Sequence, residues 1–198
     1  MGTTDMRKAF IDSAVHVVAC DGIDRTTTKS LATHAGLNEA YIYRIFGGKE
    51  ALLKETFDVL DVQFRDCLLR FIDIMHDESL SIKERCWRFF SKIWEFVLSD
   101  QEKCSFFIRY YHSRFFDTYS IKYRRQTYNE VTEKFALAFK KDIDIWLLLN
   151  HIFDVLFASV IKILRNEMPN DERSAESTFA LIYMAVEPYF AWSEKERS

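Results

Sequence analysis

The sequence predicts an all-α protein of about nine helices, with three short helices at the N-terminus and a larger helical domain after them. All five glycines lie in the first 48 residues and both prolines in the last 30, so the long stretch between Gly48 and Pro169 contains neither. Apolar residues recur every three or four positions through that stretch, which is the spacing of one helix face. No alternating pattern typical of a strand interrupts it.

Each predicted helix is placed by its apolar stripe and by the polar or glycine residues that bound it. Gly22 follows the first helix, and Pro188 is expected to kink or loosen the final turns of the last one. The first and the fourth to ninth helices are predicted at Asp5–Cys20, Lys49–Met75, from Ile82 through Val97, through Phe107 to Phe115, Tyr119–Phe139, Ile145–Asn166 and Arg173–Trp192.

The second and third helices lie within Thr26–Lys49, where the sequence indicates a helix-turn-helix unit. Thr27 or Thr28 can accept a hydrogen bond from a free N–H in the first turn of the second helix. Gly36 supplies the left-handed residue that ends this helix, and Asn38 is a favourable cap for the third. Two helices joined by a turn of this kind are the plan of many DNA-binding domains.

The third helix, the one that would enter a major groove, has distinct inner and outer faces. Ile42 and Phe46 are four residues apart and are expected to point inward. Ala40, Tyr41 and Arg44 are then left pointing outward, at the end of the helix that would meet base edges.

The segment Ile11–Leu53 resembles the N-terminal domain of the TetR family of transcriptional regulators. The resemblance depends on one ungapped series of short motifs rather than on any single pair. These are Ile11–Cys20 with Ala14 inward, Gly22, Thr26–Thr28, Leu31–Ala32, Ala35–Leu37, Ile42–Tyr43, Phe46–Gly47 and Lys49–Leu53. Two positions depart from the family pattern: Gly48 replaces a capping serine, and Tyr41 replaces a small or hydroxyl residue on the base-reading face.

The resemblance implies a DNA-binding domain over residues 1–48 and an effector-binding and dimerisation domain over residues 49–198. It implies phosphate contacts from Thr27, Tyr43 and Lys49, whose hydroxyl, phenol and ammonium groups suit an anionic backbone. Arg44 is the candidate for two-point pairing with guanine. The full set of DNA-contact candidates is Thr27, Thr28, Asn38, Glu39, Ala40, Tyr41, Tyr43, Arg44 and Lys49.

The C-terminal part is rich in aromatic residues: only four of the chain's Phe, Tyr and Trp residues precede residue 49. Most of these rings are expected to form a thick helical core. The resemblance also implies a pocket for a small hydrophobic or aromatic effector among the fourth to seventh helices. Its candidate residues, each a core residue on the simpler interpretation, are Phe64, Trp87, Trp94, Phe107, Tyr111, His112, Tyr128 and Asp154.

The last two predicted helices carry apolar residues beyond a single stripe, and a helix that is apolar on two faces needs two partners. The additional residues are Leu147, Leu148, Ile152, Phe157 and Ile161 in one helix and Leu181 and Met184 in the other. The resemblance implies that these helices form a four-helix interface in a homodimer. A monomer in which other helices cover both faces is the alternative.

The expected function is therefore a transcriptional regulator, a repressor, that binds double-stranded DNA at a palindromic operator and is released by its effector. The charge counts argue against indiscriminate DNA binding, because the net charge is −3 and residues 1–50 carry six basic and six acidic side chains. The alternative that this balance leaves open is a ligand-sequestering or protein-binding helical module without DNA affinity.

Other classes of protein lack support in the sequence. The four cysteines are widely spread and match a reducing cytoplasm, and motifs typical of enzymes are missing. The five histidines show no partner at metal-ligand spacing, so no metal and no cofactor is expected. Neither a leader nor an apolar run approaching the length of a membrane span is recognised, and we expect a cytoplasmic protein with no membrane contact.

Overall fold

Ten α-helices run through residues 2–191, which are the residues that the computed structural model describes. They are α1 Thr3–Asp21, α2 Thr28–Ala35, α3 Ala40–Phe46, α4 Lys49–Phe71, α5 Ile82–Leu98, α6 Gln101–Tyr111, α7 Ile121–Thr127, α8 Asn129–Ala136, α9 Ile145–Leu164 and α10 Glu172–Val186. Within the described residues the sole β-type pairing is an isolated antiparallel bridge between Phe139 and Phe190. The predicted all-α class is confirmed.

One predicted helix is two helices in the structure. The sequence predicted a continuous helix over Tyr119–Phe139, but α7 ends at Thr127 and α8 begins at Asn129. Tyr128 between them leaves the helical conformation, with φ −94° and ψ 8°, and its ring is completely buried. No glycine or proline marks this break, so a periodicity argument does not detect it.

Shorter helical turns replace the ends of two other predicted helices. The fourth predicted helix ends as an α-helix at Phe71 and continues as a 3₁₀ turn over Ile72–His76. The last predicted helix ends at Val186 and is followed by a 3₁₀ turn over Glu187–Tyr189. Pro188 therefore ends α10 instead of kinking it, because proline lacks the N–H that the next helical bond needs. Trp192, the predicted end of that helix, lies outside the described residues.

The backbone divides into two compact units. The first contains the residues up to Phe64 together with Asp100–Gln126, and the second contains Arg65–Ser99 and the residues from Thr127 onward. This division follows backbone packing. The boundary predicted after residue 48 concerns where the DNA-binding part ends, and it stays a prediction.

In the first unit, α1 packs against both α2 and α6. The Arg109 guanidinium on α6 donates to the Val18 carbonyl near the end of α1, at 3.0 Å. Gly22 follows directly with φ +89°, and a Cβ at this position would lie 3.1 Å from that same guanidinium. The backbone conformation therefore favours glycine where α1 meets α6, and a Cβ there would also displace the guanidinium slightly.

A buried ion pair lies deeper in the first unit. Arg124 Nε is 3.0 Å from Asp61 Oδ1, and both side chains are almost wholly buried. The Arg124 guanidinium also lies 5.1 Å from the centroid of the Tyr111 ring. Because each charge is matched by the other, the pair avoids the cost of an isolated buried ion.

The second unit contains α9, whose composition corrects one expectation. The expectation that no apolar stretch reaches the length of a membrane span is wrong, because α9 is 20 residues long and an 18-residue stretch of it has mean hydropathy 1.9, with 39% of that stretch buried. Polar residues such as Asn150 and Asp154 interrupt the run without lowering its average enough. Length and composition do not by themselves separate a core or interface helix from a span.

Candidate nucleic-acid interface

The first turn of α2 is closed by a reciprocal pair of hydrogen bonds. Thr27 Oγ1 accepts from the Ser30 N–H at 3.0 Å, and Ser30 Oγ accepts from the Thr27 N–H at 3.0 Å. Thr27 is therefore the cap, which resolves the choice between Thr27 and Thr28. The cap leaves Thr27 exposed at a helix N-terminus, where the backbone favours an anion.

The turn between α2 and α3 has the predicted construction. Gly36 adopts the left-handed conformation with φ +65°, and the Leu37 N–H donates to the Ala32 carbonyl at 3.0 Å. Asn38 Oδ1 accepts from the Ala40 N–H at 2.8 Å and so caps the start of α3. These bonds determine the direction in which α3 leaves α2.

α3 is held against α1 through its inner face. Ile42 is fully buried, and the Phe46 ring meets the Phe10 ring edge to face, with centroids 6.1 Å apart. Ser13 Oγ on α1 donates to the Leu31 carbonyl on α2 at 2.8 Å, which ties those two helices together. The inward orientation predicted for Ile42 and Phe46 is confirmed for Ile42 and is partial for Phe46, which is half-buried.

The outer face of α3 presents aromatic and cationic groups together. Tyr43 is 56% exposed, Ala40 and Arg44 are exposed, and Tyr41 is half-buried. The Arg44 guanidinium lies over the Tyr41 ring, 4.4 Å from its centroid. This stacking restricts the guanidinium while its N–H donors remain outward, so Tyr41 helps to determine where Arg44 can reach.

Two of the predicted contact residues bind each other. The Thr28 hydroxyl on α2 donates to a carboxylate oxygen of Glu39, which precedes α3. The bond holds Glu39 beside the start of α3, where a carboxylate can accept from the N4 amino group of a cytosine. Whether either residue contacts DNA stays a prediction.

Lys49 places a positive charge beside the N-terminus of α2. Its ammonium donates to the Thr26 carbonyl at 2.8 Å, next to the exposed cap Thr27. Thr26 is itself buried, and its hydroxyl donates to the Gly22 carbonyl at 2.8 Å. The arrangement places an ammonium and a helix N-terminus side by side, and both groups favour a phosphate.

The effector candidates separate into two groups of four. Phe64, Phe107, Tyr111 and His112 lie in the first unit. Successive ring centroids there are 5.5 Å apart for Phe64 and Phe107, 6.4 Å for Phe107 and Tyr111, and 5.1 Å for Tyr111 and His112. These rings form one cluster, although the His112 side chain is exposed.

The other four candidates lie in the second unit and do not converge. Trp87 packs against Phe179 with centroids 5.2 Å apart, whereas Tyr128 packs against Trp146 at 6.4 Å. Trp94 is buried and Asp154 is exposed. Whether any of the eight contacts an effector stays a prediction.

A cavity in the second unit is lined by residues that the sequence did not indicate as effector-binding candidates. Its volume is about 60 Å³, and every lining side chain is apolar or aromatic apart from the Cys86 thiol and the Tyr183 hydroxyl. The residues are Leu68, Met75, Cys86, Phe89, Phe90, Ile93, Phe135, Phe139, Ile152, Phe153, Leu156, Phe179, Ile182, Tyr183, Val186 and Phe190. The sequence pattern that could have indicated them is a pair of rings four residues apart on one helix face, such as Phe179 and Tyr183 on α10.

Residues 10–56 match the profile of the family described as "Bacterial regulatory proteins, tetR family". No curated protein matches the chain significantly. Among solved structures, the chain is similar to a TetR family transcription regulator from Marinobacter aquaeolei VT8, with 22% identity, coverage of 92% of this chain and 95% of that one, and a TM-score of 0.68. The chain is also similar to a putative tetR family transcription regulator from Shewanella sp. PV-4, with 17% identity, coverage of 91% of this chain and 97% of that one, and a TM-score of 0.70. A third similar structure is the fatty acid degradation regulator FadR from Bacillus halodurans, with 19% identity, coverage of 88% of this chain and 96% of that one, and a TM-score of 0.65.

Arg44→Ala is expected to weaken binding to the preferred DNA sequence by about 1–3 kcal/mol and to relax the preference at one base pair, because a guanidinium pairs with guanine at two points. Binding is measured on duplexes in which each base pair is varied in turn. Lys8→Ala, which removes the same charge from an exposed position on α1, is the control. An equal loss on every duplex would show that Arg44 contacts phosphate instead.

Proposed function

We propose that the chain is a transcriptional regulator of the TetR family, which represses transcription by binding a palindromic operator as a homodimer until a small apolar effector releases it. Members of this family are DNA-binding regulators and not enzymes. Operator binding, repression, dimerisation and the class of effector are the proposed parts. We place this activity in the cytoplasm, where bacterial DNA lies.

The observation that supports operator binding most directly is the outer face of α3. Tyr41, Tyr43 and Arg44 project from a helix whose opposite side is buried through Ile42. Residues 1–50, here called the head, have no net charge. Affinity for DNA must therefore come from individually placed contacts and not from a general basic surface. We favour this function over a module without DNA affinity, because residues 10–56 match a family of bacterial regulatory proteins.

A homodimer is supported by apolar side chains that the single chain leaves uncovered. Leu147 on α9 is 68% exposed, and Leu181 and Met184 on α10 are 59% and 63% exposed. Of the other residues predicted for the interface, Leu148 and Phe157 are buried within the chain and belong to its own core. Pairing α9 and α10 with a second copy would cover the exposed three and supply two heads for a two-fold operator.

An apolar effector is supported by the cavity in the second unit. Its walls offer little hydrogen bonding, so a ligand would be recognised by shape and hydrophobicity. A volume of about 60 Å³ is too small for most ligands, whose sites hold about 300 Å³ or more. Effector binding would therefore require the phenylalanine side chains around the cavity to move apart.

Leu68 connects the cavity to the helix that follows α3. It lines the cavity and belongs to α4, the helix that begins at Lys49 directly after α3. We propose that an effector displaces Leu68, shifts α4 and changes the spacing of the two heads. Such a ligand releases DNA only if it binds the non-binding spacing more tightly than the binding one.

Operator binding should weaken steeply with salt, because each neutralised phosphate contributes a slope of about −0.9 in the logarithm of affinity against the logarithm of salt. Lys49→Ala is expected to reduce the magnitude of that slope by about 1 per half-site. Fluorescence anisotropy on DNA from the region upstream of the gene measures both. Lys83→Ala, an exposed lysine on α5, should leave the slope unchanged. A flat response in the unaltered protein would contradict phosphate anchoring.

Leu181→Glu is expected to convert the dimer to a single chain of 23.5 kDa and to abolish high-affinity operator binding, because it buries a charge in the proposed interface. Light scattering coupled to size-exclusion chromatography measures the mass. Leu137→Glu places the same charge on an equally apolar exposed position, 68% exposed, outside α9 and α10. Dissociation by Leu137→Glu but not by Leu181→Glu would place the interface elsewhere.

Ile152→Phe is expected to lower affinity for the apolar fluorescent probe N-phenyl-1-naphthylamine by about tenfold, because it fills the cavity that the probe would occupy. Ile161→Phe makes the same change on α9 at a half-buried position outside the cavity lining and should bind the probe normally. Equal effects from both substitutions would show that the probe binds elsewhere.

A further inference from the structure

Three side chains with metal-binding atoms meet where α1 packs on α6. His16 and Cys20 are four residues apart on α1, and Glu102 lies in the first turn of α6. The expectation that no histidine has a partner at metal-ligand spacing is wrong for His16, since residues four apart share one helix face. One ligand atom from each of the three lies within 4.8 Å of the others.

The two imidazole nitrogens of His16 face different partners. Nδ1 is 2.9 Å from Glu102 Oε1, and Nε2 is 3.7 Å from Cys20 Sγ. Bonds of 2.0–2.1 Å to nitrogen and 2.3 Å to sulfur, at a tetrahedral angle, place those two ligand atoms about 3.6 Å apart. The observed separation of His16 Nε2 and Cys20 Sγ therefore already fits a shared ion.

We propose that His16, Cys20 and Glu102 form a binding site for a zinc-class transition metal ion, with water as the fourth ligand. His16 Nε2 and Cys20 Sγ hold the ion from α1. The Glu102 carboxylate, half-exposed at 52%, is bonded to Nδ1 in the structure and would leave that bond to reach the ion by side-chain rotation. Thiolate and imidazole ligands favour zinc-class ions over calcium or magnesium, which prefer oxygen ligands.

Cys20 differs from the other three cysteines in its accessibility. Burial raises the pKa of Cys67 to about 11 and the pKa values of Cys86 and Cys104 to about 12. Those three groups stay protonated at neutral pH and are enclosed by the core. Cys20 is the exposed one of the four, so a thiolate bound to an added ion can be assigned to it.

His34 lies next to the site but is not one of its ligands. Its ring stacks on that of His16, with centroids 4.2 Å apart and planes inclined by 14°. A histidine binds metal through a lone pair in the plane of its ring, so two nearly parallel rings do not direct lone pairs at one ion. His34 on α2 therefore provides a neighbouring histidine for a matched control.

An ion at this position would link α1 to α6 beside the bond from Arg109 to the Val18 carbonyl. α1 is also the helix on which α2 and α3 are packed. The site therefore connects α1, on which the DNA-reading helices pack, to α6. A bound ion would stabilise the contact between α1 and α6.

The test is a titration of the full-length, reduced protein with Co²⁺, whose thiolate complexes absorb strongly. We expect a sulfur-to-cobalt charge-transfer band that saturates at one ion per chain and is displaced by Zn²⁺. Cys20→Ser should abolish the band. His16→Gln should weaken binding by at least about tenfold, whereas His34→Gln should stay within about threefold.

A second measurement follows the Cys20 thiol directly. Zn²⁺ should slow alkylation of Cys20 by iodoacetamide at least about tenfold in the unaltered protein, but much less in Glu102→Gln, because that variant replaces the carboxylate ligand with a neutral amide. Circular dichroism confirms that each variant is folded. A band that persists in Cys20→Ser, the absence of any band in the unaltered protein, or equal losses from His34→Gln and His16→Gln would overturn the proposal.

Discussion

The reading helix α3 depends on the packing that holds it, because seven residues are too few to stay helical alone in water. Its one fully buried residue is Ile42, α3 itself packs on α1, and Asn38 and Gly36 determine how the chain enters it. The base contacts proposed for Ala40, Tyr41 and Arg44 all project from this helix. The head therefore functions as one packed unit, in which the inner face positions the outer face.

α1 is in turn held by a helix from the far half of the chain. Arg109 on α6 bonds the Val18 carbonyl, and Glu102 on the same helix bonds His16. The residues up to Phe64 and Asp100–Gln126 form one compact unit for this reason, although 35 residues separate them in sequence. A change in α6 can thus reach the reading head through packed side chains, which is the physical route that a regulator requires.

The sequence predicted the head more accurately than the pocket, and the reason is the range of the interactions involved. Thr27, Gly36 and Asn38 act on backbone groups two to five residues away, so their roles follow from local rules. Phe135, Ile152 and Phe179 line one cavity from three different helices. Periodicity shows that each points inward, but it does not show which inward faces meet.

Local signals in the sequence by themselves determined the all-α class, the caps and turn of the helix-turn-helix unit, and the outward orientation of Ala40 and Arg44. Only the tertiary structure decided that the chain breaks at Tyr128, that Leu148 and Phe157 belong to the core of one chain, and that His16 and Cys20 meet Glu102. Caps and helix faces depend on residues within one or two turns, where chemistry and spacing are sufficient. Breaks, buried faces and side-chain clusters depend on helices distant in sequence, whose packing minimises exposed apolar surface over the whole unit.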